Sequence, residues 1–327
     1  MKNQDQNQTS QNQILIRNIY NYLKSQIIGQ DDLVRDLLIS LIAAGHIIIE
    51  GLPGLGKTKS ANSLAHIINA KFKRIQFTPD LLPSDLIGTD IYLAEKNEFL
   101  FNKGPLFANV ILADEINRAP AKVQSALLEA MGENQITVRN NCYKLPDLFF
   151  VIATKNPIEQ EGTYNLPEAQ LDRFLLYSNV DFPNHENEAK ILDQFENNLI
   201  NNNSEHCPEI DIIDILAIRS EARNIYIDKK LKDYIVNIVM ATRNIGKYNK
   251  DLNGLIKHGA SPRASSSLLI AAKSLAYLYG DDYVKPSHIQ EIAPNILAHR
   301  ITLNFKAISE NLSARDIINK ILNLVAL

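Results

Sequence analysis

The run Gly51-Leu52-Pro53-Gly54-Leu55-Gly56-Lys57-Thr58 constrains this chain more than any other stretch of its 327 residues. It matches G-x-x-x-x-G-K-[ST]. The apolar residues Ile47–Ile49 precede it and a helix-forming segment, Lys57–Asn69, follows it, which is the context the motif requires. Glycines in such a turn let backbone N–H groups curl round a phosphate. The helix N-terminus adds positive potential, Lys57 a point charge, and Thr58 a hydroxyl for Mg2+. Pro53, Leu55 and Lys59 lie in or beside the loop and count with Gly51, Gly54 and Gly56 as nucleotide contacts.

Around this motif the chain alternates helical segments with five short apolar runs: His46–Glu50, Arg74–Phe77, Asn109–Ala113, Leu148–Thr154 and Phe174–Val180. Several are apolar without alternation, as strands of a parallel sheet covered on both faces must be. This is the doubly wound α/β pattern. Asp31 and Asp32 are placed to cap a helix whose Leu33, Val34, Leu37, Leu38 and Leu41 share one face. Two segments break the rhythm and predict inserted hairpins: Asp85–Lys103, turning at Glu95-Lys96-Asn97-Glu98, and Gln135–Leu145, turning at Asn140-Asn141. Beyond Phe182-Pro183-Asn184 strand-like runs cease and helical ones continue, from Glu186–Ile200 to Ala314–Val325. Three parts are expected: a disordered polar tail (1–13), an α/β nucleotide-binding domain (14–183) and an all-α domain (184–327).

Val110-Ile111-Leu112-Ala113-Asp114-Glu115 ends an apolar strand in two adjacent carboxylates. The C-terminal end of a strand in such a sheet lies beside the phosphate loop. Asp114 is therefore the candidate for holding Mg2+ with Thr58, and Glu115 for orienting and deprotonating the attacking water. Asn156, after the fourth run, carries a neutral amide that can bond a γ-phosphate or the water without competing as a base.

These stretches, Ile28-Gly29-Gln30, GLPGLGKT, LADEINRAP, ATKNP, LPEAQLDRF and GASPRAS, together resemble the MoxR-type AAA+ ATPases over residues 14 to 327. The resemblance implies the strand order 5-1-4-3-2, hairpin inserts, a helical lid, and a ring, hexameric, with ATP at subunit boundaries. It implies that Gly29 and Gln30 contact nucleotide, that Asn156 is the first sensor and that Arg173 is an arginine finger. A permanently charged planar guanidinium suits charge developing on phosphoryl oxygens. Arg263 follows Ser261 and Pro262, a helix start that places a cation where the dipole disfavours it by about 0.3–1 kcal/mol, so an anion is expected nearby. The resemblance makes that anion the ATP phosphate of the adjacent α/β domain and Arg263 the second sensor. It also implies a partner with a von Willebrand factor A domain and a maturation or chaperone-like role.

Composition narrows the alternatives. The formal charge of −3, and a net −2 over Asp85–Lys103, weigh against a nucleic-acid motor, which would crowd basic residues on its inserts. A non-hydrolysing switch or scaffold is disfavoured by the presence of Lys57, Asp114, Glu115, Asn156 and Arg173 together. Cys142 and Cys207 are too few and too far apart for a disulfide framework or a cysteine metal site, which fits a reduced, cytoplasmic setting. The most apolar stretch, Leu37–Ile49, is too short to span a bilayer. His46 is expected to be structural, His206 and Cys207 to hold no metal, and Phe149, Phe150, Tyr277 and Tyr279 to pack rather than stack on bases.

Overall fold

The computed structural model describes residues 2–93, 95, 97–138, 141–157, 164, 166–200 and 207–326. Its frame is a sheet of β1 (Ile47–Gly51), β2 (Phe72–Gln76), β3 (Val110–Asp114), β4 (Phe150–Lys155) and β5 (Leu176–Val180). All are parallel, in the order β5-β1-β4-β3-β2, as the resemblance implied. Period-two geometry sends alternate side chains to opposite faces, and both faces are buried. Ile47, Ile49, Val110, Leu112, Phe150 and Ile152 face one core, while Ile48, Ile111, Ala113, Val151 and Ala153 face another. That is why the runs read as continuously apolar.

The second core is closed by α4 (Ala121–Glu133) through Val123, Leu127 and Leu128. The first is closed by α2 (Asp31–Ile42) and α3 (Lys57–Ile67) and continues without a break into the helical half. That half comprises α5 (His185–Ile200), α6 (Ile212–Asn224), α7 (Lys229–Arg243), α8 (Pro262–Tyr279), α9 (Pro286–Leu297) and α10 (Ala314–Leu324). Leu268 and Leu275 of α8, Ile292 of α9 and Ile317 of α10 are fully buried within it. A polar tie reinforces the junction. Asp36 of α2 is wholly buried and accepts from Arg35 (3.0 Å) and from Asn295 Nδ2 of α9 (2.6 Å).

Both hairpins are present, Gly88–Leu93 with Glu98–Lys103 and Gln135–Val138 with Asn141–Lys144. Their turn residues Lys96 and Asn140, like His206 and the Asn201–Ser204 stretch, lie outside the described residues. Three expectations need correction. The tail expected over 1–13 is helical from Lys2, because α1 runs Lys2–Gln26. Its buried stripe Ile16, Ile19 and Leu23 anchors the helix, and Asn12, 7% exposed, donates to Glu221 Oε1 at 2.6 Å. Asp31 and Asp32 do not cap α2; they occupy its first turn, where acids suit the dipole, and Asp32 pairs with Arg35 at 2.7 Å. The helical half is not free of strands. Ile210–Asp211 pairs in parallel with Ile68–Asn69, and Ile256–His258 pairs antiparallel with Thr302–Leu303. Such two- and three-residue segments carry too little periodicity to read from sequence. No helix among the described residues is long and apolar enough to cross a membrane.

His46, at the N-terminal edge of β1, is a core histidine. Its Nδ1 accepts from the Val151 N–H at 3.1 Å, and its ring meets Phe149 edge-on. Burial pushes its pKa down to about 4, below the usual value near 6.5. The proton therefore favours the unfolded chain, so this contribution is intact above pH 6.5 and is lost as pH falls toward 4. From this group alone, stability should fall by about 2 kcal/mol between pH 7 and pH 5. Denaturant melts of wild type and His46→Asn across that range should show a flatter pH dependence in the variant; equal slopes would refute it.

Candidate active site

The phosphate loop leaves β1 at Gly51 and enters α3 at Lys57. Gly54 (φ +85°) and Gly56 (φ +78°) adopt the left-handed conformation that glycine alone takes freely, and a Cβ at either would project into open space. The loop is thus an open-mouthed backbone cradle that glycine forms without strain. Lys57 Nζ lies across its base, donating to the carbonyls of Gly51 and Leu52. The Thr58 hydroxyl points at Asp114 Oδ2, 3.4 Å away on β3.

Parallel register aligns the C-terminal ends of β3 and β4 beside this loop, and with them Asp114, Glu115 and Asn156. Glu115 sits at φ +56°, ψ +50°, a conformation that a non-glycine residue holds only when its surroundings insist. The surroundings are specific. Thr154 of β4, 1% exposed, accepts the Glu115 N–H at 2.9 Å and donates to Asp114 Oδ1 at 2.5 Å. The Glu115 carboxylate accepts from Gln76 Nε2 and Arg118 Nη1, each at 2.9 Å. Arg74, on the same strand as Gln76, holds Asp114 Oδ2 at 2.6 Å. Asn156 is 4% exposed, and Asn117 donates to its backbone carbonyl. Thr154, Gln76 and Arg74 were missed in the sequence. Thr154 lay inside the quoted ATKNP run, and the other two alternate along the strand that neighbours β3.

Asp114 and Thr58 offer only oxygen, the donor type that Mg2+ selects. Among the described residues no group of three or more His, Cys, Asp or Glu could hold a metal by itself. The donor set therefore fits an ion that shares its coordination with phosphate oxygens rather than one in a protein cage.

Beside the loop, a cavity of about 360 Å3 is lined by Ile28, Gly54, Leu55, Phe182, Pro183 and Ile191. Gln30 also borders it and is fixed by donation to the Asp181 carbonyl at 2.9 Å. Gly29, at φ +78°, lies so close to Asn187 that a Cβ would clash at 2.8 Å. The helical half thus contributes to this chain's own loop through α5, by Glu188, Ile191 and Gln194.

The two arginines lie elsewhere. Arg173 donates to the Leu128 carbonyl at 2.6 Å and its guanidinium rests on Gly132 of α4. Arg263 pairs with Asp172 Oδ2 at 3.3 Å, and that oxygen also accepts from Ser261 at 3.0 Å. Both border a cavity of about 350 Å3 with Gly45 and His46, before the start of β1. Five residues of strand separate that edge from the phosphate loop, about 16 Å at strand rise. The expectation that Arg263 meets a phosphate of its own α/β domain is therefore corrected. The anion that the α8 start calls for is Asp172. The fixing residue, also missed in the sequence, is Arg300. It is 9% exposed and bonds Asp172 Oδ1 at 2.8 Å and the Phe174 carbonyl at 2.6 Å.

A glycine-rich loop at a strand–helix junction, paired acids on the next strand but one and a helical lid define a P-loop ATPase of the AAA class. The family model described as the ATPase family associated with various cellular activities (AAA) matches residues 46–176, and an AAA lid domain model matches residues 252–321. The chain is 43% identical over 310 residues to Chaperone MoxR1 of Mycobacterium tuberculosis, covering 93% of this chain and 80% of the relative. It is 31% identical over 291 residues to Protein MoxR of Methylorubrum extorquens, covering 85% and 84%. A crystal structure of a protein from Cytophaga hutchinsonii, provisionally described as an ATPase, superposes with a TM-score of 0.89 at 43% identity, covering 99% of this chain and 98% of that one. The chain belongs to the MoxR family of AAA+ ATPases.

Replacing Thr154 by Val keeps its shape but strands Asp114 Oδ1 and the Glu115 N–H. Unfolding should cost about 1–3 kcal/mol less, with Ser at 154 recovering most of the loss. A denaturant melt of Thr154→Val that matches wild type would show that these bonds hold nothing in place.

Proposed function

We propose that this chain hydrolyses ATP in a ring of identical subunits, a hexamer by resemblance, and uses the cycle to remodel a protein client. The observation that carries the reading is the separation of two half-sites to opposite ends of one parallel sheet. The loop, Thr58, Asp114, Glu115 and Asn156 stand at the C-terminal ends of the strands, while Arg173 and Arg263 stand at the N-terminal edge. Phosphoryl transfer needs charge neutralisation on all sides of the transferred group. A second copy that docks its N-terminal edge over the loop would complete the site.

In this reading Gly51 to Thr58 cradle the β- and γ-phosphates, with Lys57 leaving the carbonyls of its own loop to meet them. Thr58 and Asp114 hold Mg2+, which when bound neutralises phosphate charge. Glu115 aligns the attacking water and takes its proton, for which its carboxylate must turn from Gln76 and Arg118. Asn156 holds the water or the γ-phosphate as a neutral donor. Arg173 and Arg263 of the neighbour stabilise charge on the transferred group, and Ile28, Gly29, Gln30 and α5 seat the base. Lid movement would follow occupancy through α5, which borders the nucleotide, while Arg263 reports to the next site.

A protein client is favoured over nucleic acid by the first hairpin. It exposes Ile91, Tyr92, Phe99 and Leu100 beside the carboxylates of Asp90 and Glu98, a surface that suits apolar polypeptide and repels a phosphate backbone. The relative named Chaperone MoxR1 supports a chaperone-like role. Work with a von Willebrand factor A domain partner, in protein maturation or metal-site assembly, belongs to the same reading, as does a cytoplasmic setting.

Phosphate release per chain should rise with protein concentration as rings assemble. Glu115→Gln should bind ATP normally and lose at least about a hundredfold in turnover. Arg173→Ala and Lys57→Ala proteins, each inactive alone, should recover part of the activity when mixed. Turnover independent of concentration, with no recovery on mixing, would refute a shared site.

A further inference from the structure

We propose that Arg74 is a resident cation on Asp114 that a divalent ion must displace, and that metal entry thereby loosens the hold of Gln76 on Glu115. The proposal rests on the metal–nucleotide reading of the site given above.

The geometry of the Asp114 carboxylate is one-sided. Oδ1 is taken from the interior by Thr154 at 2.5 Å. Oδ2 is the oxygen turned toward Thr58 Oγ1, and it is capped by Arg74 through Nη2 at 2.6 Å and Nε at 3.2 Å. Oδ2 is therefore the oxygen that a metal shared between Thr58 and Asp114 would meet, directly or through water. The two partners differ in freedom: the Asp114 side chain is 8% exposed and pinned by Thr154, whereas that of Arg74 is 50% exposed and can swing outward.

The strand register explains why Arg74 does this. Gln76 pairs with Asp114 across β2 and β3, and Arg74 lies two residues earlier, on the same face as Gln76. Its long side chain runs forward along the strand to the carboxylate, and Nη2 passes 3.5 Å from Gln76 Oε1. Gln76 in turn donates its Nε2 to Glu115 Oε2. Arg74 thus steadies the amide that holds Glu115 aside. A divalent cation at Oδ2 satisfies the carboxylate and repels the guanidinium. Once Arg74 leaves, Gln76 loses one of its two contacts and Glu115 is held less firmly.

The test is a Mn2+ titration of a fluorescent ATP analogue bound to the full chain, read as fluorescence, with wild type, Arg74→Gln and Arg74→Lys compared. A half-exposed ion pair predicts that Arg74→Gln lowers the Mn2+ midpoint by about two- to fivefold. Arg74→Lys, which keeps a cation at the strand edge, should fall between it and wild type. Affinity for the analogue in EDTA should stay within about twofold throughout, since in the metal-free state Arg74 is engaged with Asp114. An unmoved or raised midpoint in Arg74→Gln would overturn the proposal, as would a tenfold loss of affinity in EDTA, which would make Arg74 a phosphate ligand. Wild type that binds no nucleotide at any Mn2+ concentration would instead overturn the ATPase reading, and this inference with it.

Discussion

The Asp172 carboxylate sets the layout of this molecule. One oxygen is held by the buried Arg300, and the other is shared by Ser261 and Arg263. Three residues of the helical half thereby close on the segment just before β5, at the N-terminal edge of the sheet. Burial disfavours the charged form of Arg300, lowering its pKa, and the adjacent carboxylate offsets that cost. A buried ion pair of this kind is a poor source of net stability, but breaking it strands the Arg300 charge, so arrangements that separate the two are penalised. By fixing the lid there, it keeps Arg263 away from its own phosphate loop and beside Arg173.

The opposite end of the sheet obeys a second constraint, the crowding of hydrogen-bond partners around two adjacent acids. Asp114 and Glu115 are contacted from both flanking strands, by Thr154 on one side and by Arg74 and Gln76 on the other. The left-handed backbone at Glu115 persists because the Thr154 hydroxyl takes its N–H. Apart from Thr58 of α3 and Arg118 of the turn after β3, the partners of the two carboxylates are supplied by strand register, so the site is rigid in its frame and adjustable in its outward side chains. Arg74, Gln76 and Arg118 are those adjustable parts.

Much of this was legible in the chain. The loop glycines and Lys57 announce themselves because their spacing matches a backbone shape that few residue types permit. The unalternating strands follow from burial on both faces, and the two hairpins from breaks in that rhythm. What escaped notice had weak local signals. Asn12 and the residues before it look like solvated tail, yet they extend a helix anchored by Ile16 and Ile19. Thr154, Arg300 and Arg74 are single polar residues whose meaning lies in partners far along the chain.

Local chemistry thus determined the phosphate cradle, the order of strand and helix, and which residues carry charge suited to phosphoryl transfer, since each depends on neighbours within a few positions. Only the tertiary structure decided which end of the sheet each charge occupies. Arg263 begins its helix as the sequence says, but it lies 91 positions along the chain from Asp172, and the intervening segment had to fold before its partner was known. Direction in a parallel sheet is a property of the whole, and it places the two arginines and the loop at opposite ends of β1, a strand about 16 Å long.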